Sequence, residues 1–159
     1  MIKYKNGDLL KSDCNVICHQ VNCQGVMGSG IAKTIRAKYP IVYLSYLQKH
    51  KNQGSKLGSI DVVKVDGNIG EKRWVVNLYA QEYYLPRGIN HTNYDMFRKC
   101  IKALKQELSE YVKITKAQFK IGFPYGIGCG LAGGNWEIVK KILETEFGGA
   151  EWNVEIWKL

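Results

Sequence analysis

The segment from Gly126 to Gly134 holds five glycines in nine residues, and it constrains the fold more than any other feature of the sequence. Glycine loses more backbone freedom on folding than any other residue, so a run this dense destabilises a protein unless the backbone geometry requires it. The segment follows Phe119–Phe123, whose apolar residues predict a β-strand, and it precedes Asn135, a good N-cap residue for a helix. A strand–loop–helix junction of this kind can hold a phosphate through successive backbone N–H groups.

A second glycine cluster, Gly28-Ser29-Gly30, stands between the predicted strand Val16–Val21 and the predicted helix Gly30–Tyr39. The first N–H groups of a helix have no partner within the helix, and the helix dipole adds positive potential there. The junction can therefore bind an anion, although a tight turn without a ligand has the same local sequence.

Common nucleotide-binding motifs do not explain these loops. A P-loop requires Gly-Lys-Ser or Gly-Lys-Thr, which the chain lacks. The cluster that begins at Gly28 is not a G-x-G-x-x-G fingerprint either, because Lys33 stands where the third glycine belongs. The sequence therefore argues against a Rossmann dehydrogenase.

Apolar periodicity divides the chain into alternating strands and helices. Predicted strands are Ile2–Lys5, Val16–Val21, Ser59–Val65, Trp74–Tyr79, Phe119–Phe123 and Val154–Leu159; predicted helices are Gly30–Tyr39, Ile41–Lys51, Asn93–Val112 and one that begins after Asn135. The turn residues Asp66-Gly67-Asn68 predict a hairpin between the third and fourth strands. The alternation predicts an α/β sandwich with a mainly parallel sheet, in one domain over residues 1–159. Ligands of such sheets bind at the carboxyl ends of the strands, where both glycine clusters lie.

The chain carries a net charge of +9, which indicates an anionic partner such as a nucleic acid or a small molecule with a diphosphate. Most of the basic residues fall on the polar faces of predicted helices, where a solvated surface explains them without a partner. No apolar run is long enough to span a membrane, and the N-terminus lacks the apolar core of a signal peptide. We therefore expect a soluble cytoplasmic protein without a membrane partner.

The five cysteines stand at positions 14, 18, 23, 100 and 129, an odd number without paired C-x-x-C spacing. This spacing fits neither a disulfide framework nor a zinc site, and it predicts free thiols in a reducing compartment. No cluster of His, Asp and Glu residues has the spacing of metal ligands either. We expect neither a metal nor a cofactor.

Three motifs together resemble the macrodomain family, in the family's order and over nearly the whole chain. They are Gly7-Asp8-Leu9 after the first strand, Asn22 followed by Gly28–Ala32, and the second loop Gly126–Gly134. The resemblance implies a three-layer α/β/α sandwich around a mixed, roughly six-stranded sheet. It also implies that the protein binds ADP-ribose or a derivative.

The same resemblance implies which residues contact the ligand. Asp8 is expected to accept a hydrogen bond from the adenine amino group, Asn22 to contact the distal ribose, and the two glycine-rich loops to hold the diphosphate. The implied ligand-binding residues are Asp8, Leu9, Asn22, Met27, Gly28, Ser29, Gly30, Ile31, Gly126, Ile127, Gly128, Cys129, Gly130, Leu131 and Ala132. Trp152 or Trp157 either flanks the adenine or packs in the core.

The stretch Val26–Ala32 looks most like the branch of yeast-type ADP-ribose-1''-phosphate phosphatases and antitoxin-type ADP-ribosyl glycohydrolases. The lysine that the glycohydrolases use after the fourth strand is replaced here by Gln81, and the aspartate of their second loop by Ala132. His19 resembles a histidine of the phosphatases, where a neutral imidazole could act as a base toward water or attack phosphorus. The alternative is a structural histidine at a strand end.

We interpret the chain as an ADP-ribose-1''-phosphate phosphatase in which His19 and Asn22 act at the distal ribose. Two alternatives stay open: a glycohydrolase that releases ADP-ribose from a modified protein or nucleic acid, and a module that binds ADP-ribose without chemistry. Glu82 either orients water near the ribose or belongs to an exposed loop. The expected partner is ADP-ribose or ADP-ribose-1''-phosphate, and for the glycohydrolase an ADP-ribosylated macromolecule.

Overall fold

The computed structural model of the protein describes residues 1–66 and 72–159. Its strands are β1 (Ile2–Asn6), β2 (Val16–Val21), β3 (Ile60–Asp66), β4 (Lys72–Tyr79), β5 (Lys120–Pro124) and β6 (Asn153–Lys158). Its helices are α1 (Gly30–Lys38), α2 (Pro40–Gln53), α3 (Tyr94–Thr115) and α4 (Trp136–Glu146), and a turn of 3-10 helix spans Leu9–Lys11. Gly67 and Asn68 of the predicted hairpin turn lie outside the described residues.

Within the described residues, six strands form one sheet in the order β1-β6-β5-β2-β4-β3. All neighbouring pairs are parallel except β3 and β4, which are antiparallel. The predictions of a mixed, roughly six-stranded sheet and of paired third and fourth strands are confirmed. The richly apolar strand β2 lies inside the sheet, because both of its edges are occupied by parallel partners.

Apolar side chains pack on both faces of this sheet. One cluster lies against α3 and α4 and includes Phe97, Leu143 and Phe147. The other lies against α1 and α2 and includes Ile35 and Tyr46. Successive side chains of a strand point to opposite faces, so β2, β3, β4 and β6 supply apolar residues to both clusters, whereas β1 and β5 supply them to the first cluster. The result is the predicted three-layer α/β/α sandwich.

Local sequence signals define the helix starts. Asn93 accepts a hydrogen bond from the backbone N–H of Met96, and Asn135 accepts one from Glu137, so both cap the helices that follow. Pro40 opens α2, where its missing N–H costs nothing. In the described ranges, no helix combines the length and apolar character that crossing a membrane requires.

The carboxyl ends of β2 and β5 place both glycine loops at one edge of the sheet. The two strands are parallel neighbours, with Val16 opposite Ile121. The chain leaves β2 at Val21 toward α1, and it leaves β5 at Pro124 toward α4. Parallel strands end on the same side, so the loops face each other across that edge.

Candidate functional site

A cleft of about 300 Å³ lies between the two glycine loops. The predicted residues that line it are Asn22, Gly28, Ser29, Gly30, Ile31, Gly126, Ile127, Gly128, Gly130, Leu131 and Ala132. The lining residues that the sequence did not assign to the ligand are Gln20, Val21, Val26, Ala32, Gln81, Tyr84, Arg87, Pro124 and Tyr125. The structure therefore brings most of the two predicted loops together around one space.

The start of α1 supplies one wall of the cleft. Ser29 is the N-cap residue but its hydroxyl makes no capping hydrogen bond, and Gly30, Ile31 and Ala32 form the first turn. The N–H groups of that turn have no partner within the helix, so they remain available to an anion. Gly30 has a φ of +58°, a left-handed conformation that favours glycine, and a Cβ there would meet nothing within 4 Å.

Asn22 lies at the cleft with its amide group largely engaged by its own loop. Its Oδ1 accepts hydrogen bonds from the N–H of Gln24 at 2.9 Å and from the hydroxyl of Tyr46 at 2.8 Å. Its Nδ2 donates to the carbonyl of Val26 at 2.8 Å. These partners fix the orientation of the amide, because a backbone N–H can only donate. One Nδ2 proton is left, so Asn22 can donate a single hydrogen bond to a ligand.

The second loop forms the opposite wall and is held by its own turns. Cys129 N donates to Gly126 O at 2.8 Å, and Gly134 N donates to Gly128 O at 2.9 Å. Gly128 has a φ of +74°, and a Cβ there would lie 2.7 Å from Oε1 of Gln20. The N–H groups of Gly126, Gly128, Gly130, Leu131 and Ala132 donate to no atom within residues 1–66 and 72–159. This wall therefore offers several open backbone donors.

A polar network beneath the cleft supports the second loop. The hydroxyl of Thr92 donates to Gly128 O, and Nε2 of Gln20 donates to both Thr92 and Gln81 at 2.9 Å. The N–H of His91 donates to the carbonyl of Ala132 at 2.7 Å. The segment between β4 and α3 is thus tied to the glycine loop, and this tertiary support has no signature in the sequence of either segment.

The described lining of the cleft carries positive charge and no negative charge. Of the described residues that line it, Arg87 carries the one formal charge, and the lining includes no carboxylate, histidine or cysteine. Tyr84 and Tyr125 are its other titratable groups. Open backbone donors and one guanidinium form a surface that suits an anionic ligand.

The sequence matches the macro domain family over residues 18–143. The chain is a macrodomain. It is 29% identical over 168 residues to an ADP-ribose 1''-phosphate phosphatase of Scheffersomyces stipitis, with 91% of this chain and 94% of the relative covered. It is 27% identical over 148 residues to a DNA ADP-ribosyl glycohydrolase of Mycobacterium tuberculosis, with 92% of this chain covered. The match spans only 39% of that glycohydrolase's length.

Solved structures show the same fold. The macrodomain resembles a protein of unknown function from Bacteroides thetaiotaomicron with a TM-score of 0.81 and 30% identity, covering 100% of this chain and 98% of the other. The predicted family is therefore confirmed, together with the predicted fold.

The structure does not bring His19 into the cleft of the macrodomain. The side chain is 0% exposed, and its Nε2 lies 2.5 Å from Oδ1 of Asn77 on the neighbouring strand. Burial lowers the pKa of the imidazole to about 4, so the ring is neutral near neutral pH. A base or nucleophile must touch water or phosphorus at the ligand, and the buried ring has no such access. In this structure His19 is a core histidine hydrogen-bonded across β2 and β4.

Four residues of the implied ligand set lie outside the lining. Asp8 accepts a hydrogen bond from the N–H of Leu10 at 2.9 Å and caps the 3-10 turn. Leu9 and Met27 are buried in the apolar cluster against α1 and α2. Cys129 packs against the other cluster, and burial raises the pKa of its thiol to about 11. Apolar burial accounts for the last three, and the contact between Asp8 and adenine stays a prediction.

Other predicted side chains also lie away from the cleft lining. Glu82 is exposed, and its backbone carbonyl accepts a hydrogen bond from Cys23 N at 3.0 Å. Trp152 packs edge-on against Phe147 at a ring distance of 5.4 Å. Trp157 is partly buried beside the cluster against α1 and α2. Glu82 thus lies in an exposed loop, and the two tryptophans pack against the core.

One group of potential metal ligands occurs in the described residues, remote from the cleft lining. Asp13, Cys14 and Glu155 place one ligand atom each within 4.8 Å of one another. Their atoms already have protein partners, because Asp13 pairs with Lys120 at 2.7 Å and Glu155 accepts from Trp157 at 3.0 Å. Burial raises the pKa of the Cys14 thiol to about 11, which disfavours the thiolate that a metal would need.

Proposed function

We propose that this macrodomain binds ADP-ribose in its cleft and hydrolyses ADP-ribose-1''-phosphate to ADP-ribose and phosphate. The observation that carries the proposal is a cleft lined by open backbone N–H groups and by no carboxylate among the described residues. Such a lining favours a ligand with several phosphate charges. The similarity to a phosphatase that is matched over most of both chains supports the same activity.

The proposed binding mode follows from the two walls. The N–H groups at the start of α1 and the open N–H groups among residues 126–132 hold the diphosphate from opposite sides. The free Nδ2 proton of Asn22 donates to a hydroxyl of the distal ribose. Tyr125, at the end of β5, flanks the adenine end. Asp8 is the proposed acceptor for the adenine amino group.

The proposed chemistry depends on positioning. Water attacks phosphorus and gives up a proton, the bond from phosphorus to the ribose oxygen breaks, and that oxygen takes up a proton as ADP-ribose leaves. Phosphoryl transfer requires little covalent help from a protein, so donors aimed at the developing charge supply the rate. Asn22 is the proposed catalytic contact at the distal ribose. His19 receives no contact with the substrate, because its side chain is buried.

Two other functions have an observation in their favour. An ADP-ribosyl glycohydrolase is suggested by the similarity to the mycobacterial protein, whose match covers a minor part of its length. Its substrate would be an ADP-ribosylated macromolecule. A binding module without chemistry is favoured by the described lining, which lacks a carboxylate or histidine that could act as a base. Five cysteines, all free, fit a reducing cytoplasmic setting for any of the three.

Product analysis distinguishes the three functions. The wild-type protein is incubated separately with ADP-ribose-1''-phosphate and with an ADP-ribosylated protein and an ADP-ribosylated oligonucleotide, and released phosphate and ADP-ribose are measured. We expect phosphate from the first substrate. Release of ADP-ribose from a macromolecule, without phosphate release, would instead support the glycohydrolase. Binding of ADP-ribose without either product would support the module.

A variant pair tests the contact assigned to Asn22. Asn22→Ala is expected to lower kcat by about tenfold or more, since a hydrogen bond to the reacting ribose is lost. Gln24→Ala is the matched control, because it removes a side-chain hydrogen bond between the same loop and the carbonyl of Glu82 but leaves the side chain of Asn22 in place. Equal kcat values for Asn22→Ala and the wild type would remove Asn22 from the proposed mechanism.

A further inference from the structure

The cleft has two ends that the strand order separates. Tyr125 follows β5, and its N–H donates to the carbonyl of Trp157 on β6 at 2.8 Å. Asn22 follows β2, and Gln81 follows β4, on the other side of β2 from β5. A ligand that extends along the cleft therefore has one end near Tyr125 and the other near Asn22 and Gln81.

The segment that carries Arg87 begins beside the loop that contains Asn22, and Arg87 and Asn22 both line the cleft. The carbonyl of Glu82 accepts hydrogen bonds from Cys23 N at 3.0 Å and from Gln24 Nε2 at 3.2 Å. These contacts join the start of the segment to the loop that contains Asn22.

Beyond Arg87, the same segment is fixed to the second glycine loop. Nε2 of His91 donates to the carbonyl of Pro86 at 2.6 Å, and the N–H of His91 donates to Ala132 O at 2.7 Å. Arg87 is thus presented from a stretch whose two sides are both attached to the walls of the cleft. These contacts hold the backbone on both sides of Arg87 in place.

The guanidinium of Arg87 has no competing anion. In the described part of the chain it forms neither an ion pair nor a hydrogen bond, whereas Lys49, Lys102 and Lys105 each pair with a carboxylate. Guanidinium groups bind phosphate through two parallel N–H donors, a geometry that lysine does not offer.

We infer that Arg87 binds a phosphate carried by the distal ribose and so makes the cleft prefer a phosphorylated ADP-ribose over ADP-ribose itself. The inference rests on the proposed function for the pose of the ADP-ribose part, and it adds the residue that determines specificity. The diphosphate and the adenine lie toward the other contacts, so Arg87 affects the terminal phosphate selectively.

Variants of Arg87 test this inference through two ligands. Kd is measured by calorimetry for ADP-ribose, and kcat and KM are measured by phosphate release from ADP-ribose-1''-phosphate. Arg87→Gln is expected to raise KM by about tenfold or more, while Kd for ADP-ribose changes by less than about twofold. Arg87→Lys is expected to recover only part of the loss, because lysine provides charge without the paired donors. Arg98→Gln, on α3 beside Glu146, removes the same charge away from the cleft and is the control.

Two results would overturn the inference. One is an unchanged KM in Arg87→Gln, and the other is an equal loss of affinity for ADP-ribose and for the phosphorylated substrate. Failure of the proposed function gives a different result, since the wild-type protein would then not release phosphate. In that case the Kd of the wild type and of Arg87→Gln for ADP-ribose-1''-phosphate is compared directly, and an unchanged ratio to the Kd of ADP-ribose contradicts the role of Arg87.

Discussion

The hydroxyl of Tyr46 lies 2.8 Å from Oδ1 of Asn22, although all of α1 and about half of α2 separate the two residues in sequence. The same hydroxyl accepts the N–H groups of Gly25 and Val26 at 3.1 Å each. Tyr46 is fully buried, and its ring stacks on Tyr79 at 5.9 Å. One phenol in the core thus holds the loop that positions the proposed ribose contact.

Tyr46→Phe is expected to weaken ADP-ribose binding by about tenfold and to lower the free energy of unfolding by about 1–3 kcal/mol, because the hydroxyl's hydrogen bonds to two oxygens of Asn22 and to the N–H groups of Gly25 and Val26 are lost. Calorimetry and urea denaturation measure the two effects. Tyr43→Phe is the control, since Tyr43 neighbours Tyr46 on α2 and its hydroxyl has no hydrogen-bond partner in the described residues. Wild-type affinity in Tyr46→Phe would show that this phenol does not position the loop.

A pair of glycine variants tests the geometry of the second loop. Gly128→Ala is expected to destabilise the fold by about 1–3 kcal/mol, because its φ is positive and its Cβ would clash with Gln20 and Thr92. Gly130→Ala serves as the comparison, since its φ is not in the left-handed region and a Cβ there meets nothing within 4 Å. Thermal unfolding of the two variants measures the difference. Similar Tm values for both would contradict a positive φ at Gly128 and its close approach to Gln20.

The burial of His19 predicts how the free energy of unfolding depends on pH. Its folded pKa of about 4 lies below the ordinary value of 6.5, so the unfolded state takes up a proton first as the pH falls. The stability that neutral His19 contributes is therefore complete above pH 6.5 and is lost between there and pH 4. Compared with His19→Gln, the wild type is expected to lose about 2 kcal/mol more between pH 7 and pH 5, as measured by urea denaturation.

The same variant distinguishes a structural from a catalytic histidine. A structural role predicts that His19→Gln keeps the kcat/KM of the wild type for phosphate release at pH values where both are folded. A large loss of kcat with an unchanged pH dependence of unfolding would mean that the imidazole reaches the substrate during turnover.

An ion cluster outside the cleft lining is expected to affect the stability of the fold without affecting ligand binding. Glu146 lies between α3 and α4, 2.9 Å from Lys102 and 3.3 Å from Lys105. Burial by itself raises the pKa of this carboxyl, but hydrogen bonds from the two lysines outweigh burial and lower it. Glu146→Gln is expected to cost about 1 kcal/mol at neutral pH, since Lys102 is largely exposed. Glu144→Gln, on the exposed face of α4, is the comparison, and equal Tm values would argue against the cluster.

The fold was predictable because the local sequence pattern indicates each helix and strand. Alternating apolar residues indicate the strands, and the cap residues Asn93 and Asn135 stand where the structure begins α3 and α4. The two glycine loops were predictable for a related reason. So many glycines cost backbone entropy, which implies that the loop conformation requires them. Because β2 and β5 are parallel, their carboxyl ends bring the two loops to the same side of the sheet.

The supporting residues of the site were less predictable because they depend on tertiary contacts. In the sequence Tyr46 fits one more apolar position of α2, and no adjacent residue indicates that its hydroxyl contacts the first glycine loop. Gln20 and Thr92 meet beneath Gly128 only after β2 and the segment before α3 are folded together.

The burial of His19 did have a signal in the sequence. Side chains of a strand alternate, so His19 shares a face with Ile17 and Val21, both of which are buried apolar residues. That pattern places the imidazole in the core under α1 and α2. The resemblance to phosphatases implied a catalytic role for His19 from its position in the sequence alone. The alternation of side chains along β2 instead directs the imidazole into the core.

Calorimetric titration with ADP-ribose, run on the wild type, Gly30→Glu and Gly54→Glu, tests the central claim most directly. Both glycines have a positive φ and open space around the Cβ position, but only Gly30 lines the cleft. Both substitutions therefore place a side chain at a positive φ with space around it, and the carboxylate enters the proposed diphosphate site in one variant alone. We predict one binding site with a micromolar Kd in the wild type and in Gly54→Glu, and no detectable binding in Gly30→Glu. Absence of binding in the wild type, or equal binding in both variants, would contradict an ADP-ribose site between the two glycine loops.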